Sequence, residues 1–313
     1  MTLKRNQNSK SRSNKDSITN GIILLDKPYG ISSNSALQKV KRLLNVKKAG
    51  HSGSLDPMAT GMLPIFINQA TKFSQYMLDS DKAYLAIIQL GITTDTADKE
   101  GNVLEKKEVV KLDDDLIEDY LNPFRGQIKQ VPPMYSALKR EGKPLYQLAR
   151  EGIEVERKPR EVVIYELVNQ GYDLNSQQLK IFTKVSKGTY IRTLAEDIGK
   201  QIGCGAHLIE LRRISCGQFN QQHQMITLEK LSEQLAKPEI EKSTTLIETG
   251  TIFNHWPVYQ INEIEIGELR RSGRWIGENT QLNGWHVFKL NQKFIGIGEF
   301  SHGHLKSRKL LID

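Results

Sequence analysis

The sequence predicts an α+β fold in which a mixed, largely antiparallel sheet with helices is followed by a small domain of short strands. The chain has 313 residues, enough for one domain of catalytic size and a smaller one. Its strand-like and helix-like segments do not alternate regularly, as a doubly wound parallel sheet would require. From about residue 251 onward the apolar stretches are short and are separated by glycine-containing turns.

The individual elements follow from local patterns along the chain. Apolar runs and alternating apolar and aromatic residues predict strands in GIILLDK, KAYLAIIQLGITTDT, REVVIYELVNQ and QLKIFTKVS. LPIFINQATKFSQYML is typical of a short strand followed by a helix. Cap residues and helical spacing predict helices in SSNSALQKVKRLLNV, LDDDLIEDYLNPF, TYIRTLAEDIGKQIG and LEKLSEQL. EIGELRRSGRWIGE, WHVFKL and FIGIGEFSHGHLKSRKLLID predict a helix and further short strands.

Composition narrows the class of protein. A hydrophobic fraction of 38% with 26% charged residues is ordinary for a globular chain. The sequence has no apolar run of transmembrane length and no secretory signal, so we expect no membrane association and a cytoplasmic location. Cys204 and Cys216 cannot form a disulfide framework, and Cys204 with His207 does not make a zinc site, so no metal is predicted.

The net charge of +8 suggests a polyanionic partner. Part of this excess lies in residues 1–20, where five Lys or Arg residues accompany a single Asp in a Ser- and Asn-rich segment. Such a segment cannot build a core, so we expect a disordered basic tail.

One acid stands apart in GHSGSLDPMATGMLP. Asp56 lies among small residues, glycines and prolines, and its only titratable neighbour in this stretch is His51. Pro57 moves Asp56 away from helical backbone, and the glycines permit turns or the close approach of another molecule. From these residues alone a solvated turn acid is the more common interpretation.

Residues 125–160 form a second unusual stretch. Between Ser136 and Arg160 there are seven basic and four acidic residues, interleaved with Tyr146 and preceded by Tyr135. Basic side chains can contact phosphates and tyrosines can stack on bases, as in an RNA-contacting arm. A solvated helical hairpin explains the same composition equally well.

The order of several motifs resembles the family of bacterial TruB-type tRNA pseudouridine synthases. These motifs are KPYGISS, GHSGSLDPMATGMLP, KAYLAIIQLGITTDT, VPPMYSALKREGKPLYQLAREG, SKGTYIRTLAEDIG and GCGAHLIELRRISCGQF. The resemblance runs from about residue 21 to the end. It implies a pseudouridine-synthase fold over residues 21–250, with the arm as an insertion, and a small PUA-like β-barrel over 251–313. It also implies isomerisation of the T-loop uridine (position 55) of tRNA, with no cofactor and no metal.

The resemblance assigns catalytic roles to three residues. It identifies Asp56 with the family's catalytic acid, Arg192 with the Arg that pairs with that acid, and Tyr84 with the Tyr that stacks on the target base. A carboxylate suits the reaction because cleavage of the glycosidic bond develops positive charge on the ribose. Without the resemblance, Arg192 would be a surface residue paired with Glu196, and Tyr84 a core residue.

Further positions match by the same resemblance. His51 corresponds to the residue that stacks in the T-loop once the uridine has flipped out; otherwise it is a loop histidine bonded to backbone. Tyr190 and Leu211 correspond to substrate-pocket positions. Lys27 and Pro28 correspond to a motif that packs beside the active-site loop. By contrast, turn chemistry adequately explains the two acids of TTDTADKEG, Asp95 and Asp98.

Three functions are compatible with these features. The first is a tRNA pseudouridine synthase that binds the T-stem-loop as a monomer, without an obligate protein partner. The second is a non-catalytic tRNA-binding or tRNA-folding module, which the arm and the six basic residues of the C-terminal segment (Arg270, Arg271, Arg274, Lys306, Arg308, Lys309) would also serve. The third, a carboxylate-based nucleoside or glycoside hydrolase, lacks a second acid. The trio Asp56, Tyr84 and Arg192 favours the synthase.

Overall fold

The computed structural model describes residues 20–236, 246–277 and 281–311. A large sheet flanked by helices accounts for most of these residues, and a four-stranded sheet follows it near the C-terminus. None of the described helices is both long enough and apolar enough to cross a bilayer. The tail predicted for residues 1–20 lies outside the described residues, except for Asn20.

The described strands and helices are as follows. The strands are β1 (Gly21–Lys27), β2 (Ala49–His51), β3 (Thr60–Ile67), β4 (Lys82–Leu90), β5 (Ile92–Thr94), β6 (Val103–Lys106), β7 (Gly126–Gln130), β8 (Lys139–Arg140), β9 (Lys143–Pro144), β10 (Arg160–Asp173), β11 (Gln178–Val185), β12 (Ala206–Cys216), β13 (Val258–Gln260), β14 (Gly284–Leu290), β15 (Lys293–Ser301) and β16 (His304–Leu310). The α-helices are α1 (Ser33–Leu43), α2 (Ser74–Leu78), α3 (Asp114–Leu121), α4 (Leu145–Arg150), α5 (Ile191–Ile202), α6 (Leu228–Ala236) and α7 (Glu263–Arg271).

The large sheet has the strand order β1-β3-β12-β4-β11-β10-β7, and β2 pairs with β3. Every pairing is antiparallel except that of β3 with β12. The predicted mixed, largely antiparallel sheet is therefore confirmed. The parallel contact is short, joining Arg212 to Thr60 and Arg213 to Gly61.

Helices cover one face of this sheet, and the C-terminal domain packs against the other. On one face α5 packs against β4 and β12, and its Leu194, Ala195 and Ile198 are fully buried in the main core. On the same face α1 and α6 cover β1 and β3, and the opposite face of these two strands packs against Phe253, Val287 and Phe294. Because β3 is covered on both faces, all its residues from Gly61 to Ile67 are buried, which explains why its sequence is a continuous apolar run and does not alternate.

The arm is a hairpin and not the helical pair that composition also allowed. Strands β8 and β9 pair through the two-residue turn Glu141-Gly142, and both turn residues have positive φ (51° and 86°), as a type I′ turn requires. A single helix, α4, follows. Two consecutive prolines, Pro132 and Pro133, and the turn at Gly142 leave too little uninterrupted chain for two helices.

The C-terminal sheet has the order β13-β14-β15-β16, and in the described part of this domain its strands follow an open path. It shares a core with the large sheet. Phe73, which follows β3, makes edge-on ring contacts with Phe253 (5.9 Å between centroids) and Phe294 (5.4 Å). The two sheets therefore pack together through buried aromatic residues.

We expect Gly199→Ala to destabilise the protein by about 1–3 kcal/mol. A Cβ at Gly199 in α5 would lie 2.3 Å from the backbone nitrogen of Ala206, so the helix would have to move away from β12. Gly267→Ala is the matched control, because Gly267 is an exposed glycine of α7 with no atom within 4 Å of an added Cβ. Thermal unfolding should show a lower midpoint for Gly199→Ala and an equal or higher one for Gly267→Ala. Equal midpoints for wild type and Gly199→Ala would contradict the close packing.

Candidate active site

The loop that carries Asp56 connects β2 to β3 and is tied to the start of α1. The hydroxyl of Ser33 accepts a hydrogen bond from the Leu55 nitrogen (2.7 Å) and donates one to the Leu55 oxygen (3.0 Å). The Gly30 nitrogen donates to the Pro57 oxygen (2.9 Å). Bonds on both sides of Asp56 thus set the path of the loop.

Lys27, at the end of β1, lies beneath this loop with no solvent exposure. Its ammonium group donates to the backbone oxygens of Ile31 (2.7 Å), Pro28 (2.8 Å) and Pro57 (3.3 Å). Burial lowers the pKa of Lys27 to about 8, while the negative charge of Asp56 partly opposes this shift. Lys27 therefore joins the Lys-Pro turn to the loop of Asp56.

Arg192, in the first turn of α5, binds Asp56 directly. Its Nε lies 2.9 Å from Oδ2 of Asp56, and its side chain is 5% exposed whereas that of Asp56 is 42% exposed. The guanidinium also donates to the backbone oxygens of Tyr135 (2.7 Å) and Thr96 (3.2 Å). The buried cation thus holds a carboxylate that stays open to solvent.

The alternative interpretation of Arg192 as a surface residue is wrong. Glu196, its proposed partner, pairs with Lys200 instead (2.7 Å). Arg192 points inward because its neighbours Ile191, Leu194 and Ala195 pack into the main core and turn this side of α5 toward the sheet.

Asp98 is a second carboxylate at this site that the sequence did not indicate. Its Oδ2 lies 3.5 Å from the Arg192 Nη1, and its side chain is 6% exposed. As expected for a turn acid, its Oδ1 also accepts hydrogen bonds from the Thr96 hydroxyl (2.6 Å) and the Glu100 nitrogen (3.0 Å). In the sequence, the one signal for Asp98 is that it lies two residues after the motif KAYLAIIQLGITTDT, which resembles the family. In contrast, the side chain of Asp95 accepts hydrogen bonds from the backbone and side-chain nitrogens of Asn102 within the turn.

The charges around Asp56 oppose one another. Burial raises the pKa of Asp56 above its usual 3.8, and the charge of Asp98 raises it further. Arg192 lowers it through its charge and its hydrogen bond, and Lys27 adds a smaller effect in the same direction. Burial, together with Asp98 and Asp56, likewise raises the pKa of Glu100. Arg192 is thus the main group that opposes the upward shift of the Asp56 pKa.

Tyr84 and Leu211 lie on adjacent strands in the cluster that includes the Asp56 loop. Each is 8% exposed, and both pack in one core with Leu55, Met58 and Ala59. Burial raises the pKa of the Tyr84 phenol, the Arg213 guanidinium lowers it, and Asp56 makes a small upward contribution. The ring of Tyr84 and the side chain of Leu211 thus lie beside the loop that carries Asp56.

Tyr190 connects the site to the arm. It is the residue before α5, and its backbone exchanges two hydrogen bonds with the side chain of Gln130, from nitrogen to Oε1 (2.8 Å) and from Nε2 to oxygen (3.0 Å). Burial raises the pKa of its phenol, and the positive charges of Arg160 and Arg192 oppose the shift.

His51 lies at the end of β2, opposite Ile65. Burial lowers its pKa below 6.5, and Arg213 adds to this shift, so the ring is neutral at pH 7. Its Nδ1 is buried without a hydrogen-bond partner. No hydrogen bond or ion pair between described residues joins His51 to Asp56, so the structure places it near this region without linking it to the carboxylate.

No group of three or more His, Cys, Asp or Glu side chains in residues 20–236, 246–277 and 281–311 is arranged to bind a metal ion. Both cysteines are buried and unpaired.

Comparison with known proteins agrees with this fold. Residues 41–191 match the model of the TruB family pseudouridylate synthase N-terminal domain, and residues 192–249 match that of the tRNA pseudouridylate synthase B C-terminal domain. The chain is 49% identical to tRNA pseudouridine synthase B of Stutzerimonas stutzeri, over 93% of this chain and 95% of that protein. It is 45% identical to the protein of the same name from Francisella philomiragia, over 93% and 94%.

Solved structures with lower sequence identity share this fold. A Cbf5-Nop10-Gar1 complex contains a chain that matches with a TM-score of 0.69 at 23% identity, covering 99% of this chain and 93% of that one. The archaeal box H/ACA sRNP Nop10-Cbf5 complex matches with a TM-score of 0.70 at 22% identity, over 95% and 87%. With relatives close to half identical over nearly the whole length, this chain belongs to the TruB family of tRNA pseudouridine synthases, isomerases that act on tRNA.

Proposed function

We propose that this enzyme converts the T-loop uridine at position 55 of tRNA to pseudouridine, with Asp56 as its catalytic carboxylate. The ion pair between buried Arg192 and half-exposed Asp56 is the observation that carries this proposal. A target base stacked inside a folded loop must flip out before its ribose can reach such a group. The 42% exposure of Asp56 leaves it accessible to a flipped nucleotide.

The chemistry follows from the position of the charge. Breaking the bond from N1 to C1′ develops positive charge on the ribose, which an ionised carboxylate stabilises. The released uracil is a delocalised anion, so no second carboxylate is needed to protonate it. The base then turns and bonds to C1′ through C5. Arg192 orients Asp56, and Asp98 limits how strongly the guanidinium neutralises it.

The remaining side chains form the base and RNA contacts. Tyr84 stacks on the target base, and Leu211 and Tyr190 line the pocket beside it. The neutral ring of His51 occupies the space that the flipped uridine leaves in the T-loop. Lys27 and Pro28 hold the Asp56 loop in place. No cofactor takes part in this scheme.

The arm supplies phosphate contacts. Lys139, Arg140 and Lys143 are exposed around the β8–β9 turn. Arg140 and Lys143 also line a shallow groove together with Leu148, Ile153 and Val155. Cations beside an apolar surface suit a nucleic-acid backbone and its bases. A binding module without catalysis would also use this arm, but it would not need a buried Arg that orients an accessible acid.

We expect Asp56→Asn to abolish turnover, because the carboxamide keeps the shape of the side chain and loses its charge. Tritium release from tRNA carrying 5-tritiated uridine measures turnover, and filter binding measures affinity, which should stay within about threefold of wild type. Asp95→Asn is the matched control, since the Asp95 side chain bonds Asn102 within its turn. Substantial tritium release by Asp56→Asn would rule out this acid as the catalytic group.

The acid limb of the pH–rate profile should move in opposite directions in two variants. Arg192→Gln removes the charge that lowers the pKa of Asp56, so the limb should shift to higher pH. Asp98→Asn removes a charge that raises this pKa, so the limb should shift to lower pH. In each case the rate falls as pH drops because Asp56 becomes protonated. Single-turnover rates between about pH 4 and 8 test this, and shifts of the same sign in both variants would contradict it.

Neutralising the arm should weaken tRNA binding and its salt dependence. Changing Lys139, Arg140 and Lys143 to Gln should reduce the slope of log affinity against log salt by about 0.7–0.9 for each phosphate that the arm no longer neutralises. The control changes three exposed lysines outside the arm, Lys106, Lys107 and Lys111. If both triple variants keep the wild-type slope, the arm does not contact phosphates.

A further inference from the structure

Gln130 is a buried polar side chain that the scheme above does not use. It is the last residue of β7, directly before the chain leaves the sheet, and it is 2% exposed. Across the ladder of β7 and β10 it pairs with Arg160, the first residue of β10. The part of the arm between these two residues, 131–159, thus leaves and re-enters the sheet at one residue pair. This pair is the neck of the arm.

The amide of Gln130 holds the residue from which α5 begins. Its Oε1 accepts a hydrogen bond from the Tyr190 nitrogen (2.8 Å), and its Nε2 donates one to the Tyr190 oxygen (3.0 Å). The same oxygen accepts the hydrogen bond of the Leu194 nitrogen within α5 (3.0 Å). Because both ends of one amide bind the backbone of one residue, they fix the position and the direction of the chain where the helix starts.

A second contact joins the same two segments in the opposite sense. The guanidinium of Arg192, in the first turn of α5, donates to the backbone oxygen of Tyr135 in the arm (2.7 Å). One side chain thus reaches from the neck to the backbone before α5, and another reaches from α5 to the backbone of the arm. Together the two contacts, Gln130 with Tyr190 and Arg192 with Tyr135, form a clasp between the arm and α5.

The chain segments that close this clasp are short. Four residues lie between Gln130 and Tyr135, and two of them, Pro132 and Pro133, have a fixed φ. On the other side a single residue, the buried Ile191, separates Tyr190 from Arg192. A displacement of the arm at Tyr135 therefore reaches Arg192 with little flexible chain to absorb it.

Arg192 carries such a displacement to the carboxylate. Its Nε lies 2.9 Å from Oδ2 of Asp56, so the side chain that holds Tyr135 also orients Asp56. In enzymes, misplacing a reacting group by about 1 Å can lower the rate about 100-fold. The position of the arm and the alignment of Asp56 are thus set by one guanidinium, and Gln130 fixes the backbone from which that guanidinium extends.

We propose that Gln130 is a positioning residue that makes the alignment of Asp56 depend on the arm. This inference rests on the proposed function, because Asp56 is the carboxylate of that reaction. When the arm binds tRNA phosphates, the clasp passes the position of the arm to the Arg192–Asp56 pair. Part of the binding energy of the arm then aligns the carboxylate and is not expressed as affinity.

The first test compares Gln130→Met with Gln127→Met. Methionine is about as long as glutamine and removes both hydrogen bonds to Tyr190, and Gln127 is an exposed glutamine of the same strand. Single-turnover reactions at saturating tRNA measure the rate of the bound complex, and filter binding measures affinity. We expect Gln130→Met to lower this rate about 10- to 100-fold and to leave the affinity within about threefold of wild type, since the cations of the arm remain. Gln127→Met should keep both values.

The second test adds the triple arm variant, in which Lys139, Arg140 and Lys143 are changed to Gln. With Gln130 in place, the triple variant should lower both the saturated rate and the affinity. Combined with Gln130→Met, it should lower the affinity by the same factor and leave the already reduced rate unchanged, because the clasp no longer transmits the position of the arm. A double-mutant cycle on the rate measures this coupling. Rate losses that multiply would overturn the proposal, since a purely structural defect at Gln130 does not change what the arm contributes.

A wild-type saturated rate for Gln130→Met would also overturn the proposal. If this variant does not fold, the triple arm variant of the otherwise intact enzyme decides. A lower rate at saturating tRNA would support the coupling of the arm to Asp56, and a wild-type rate would overturn it. A wild-type enzyme that forms no pseudouridine in the T-loop would instead contradict the proposed function itself.

Discussion

The candidate active site of this enzyme depends on a single buried guanidinium. Arg192 is held by backbone oxygens from two separate segments and binds two carboxylates, so it joins the Asp56 loop, the turn of Asp98 and the start of the arm to α5. None of these four segments is adjacent to another along the chain. Removing Arg192 would leave the carboxylate of Asp98 buried without a counter-ion, which costs a large free energy in a protein interior. The geometry of the proposed catalytic carboxylate is therefore coupled to the integrity of the whole domain.

A functional constraint explains the unusual balance of charges. A carboxylate that stabilises a developing cation must stay ionised, yet the partial burial of Asp56 raises its pKa. Arg192 lowers this pKa, whereas the second acid, Asp98, which also pairs with Arg192, raises it. Lys27 adds positive charge under the loop, and its hydrogen bonds also fix the backbone there. The same groups thus serve both electrostatics and positioning.

The sheet determines which residues can cooperate. Tyr84, Leu211 and Arg213 share one face because β4 and β12 are neighbours, although more than 100 residues separate these strands along the chain. At the parallel contact between β12 and β3, Gly61 has a φ of 97°, and a Cβ there would lie 2.3 Å from the Arg213 oxygen. This close approach brings the end of the Asp56 loop against the strand that carries Arg213 and Leu211.

Much of this architecture could be predicted from local patterns, because helix caps, apolar periodicity and turn residues act over a few positions. These patterns indicated the α+β class, most helix and strand positions and the isolated acid at Asp56. The order of the motifs indicated the family. Local patterns could not show that Arg192 points inward, that the arm is a hairpin or that Asp98 reaches the same guanidinium. The order of residues sets which chemical groups are present and which helix or strand carries each of them. Which groups meet, and which are buried, follows only from the folded chain, because burial and pairing arise from contacts between segments that are distant in sequence.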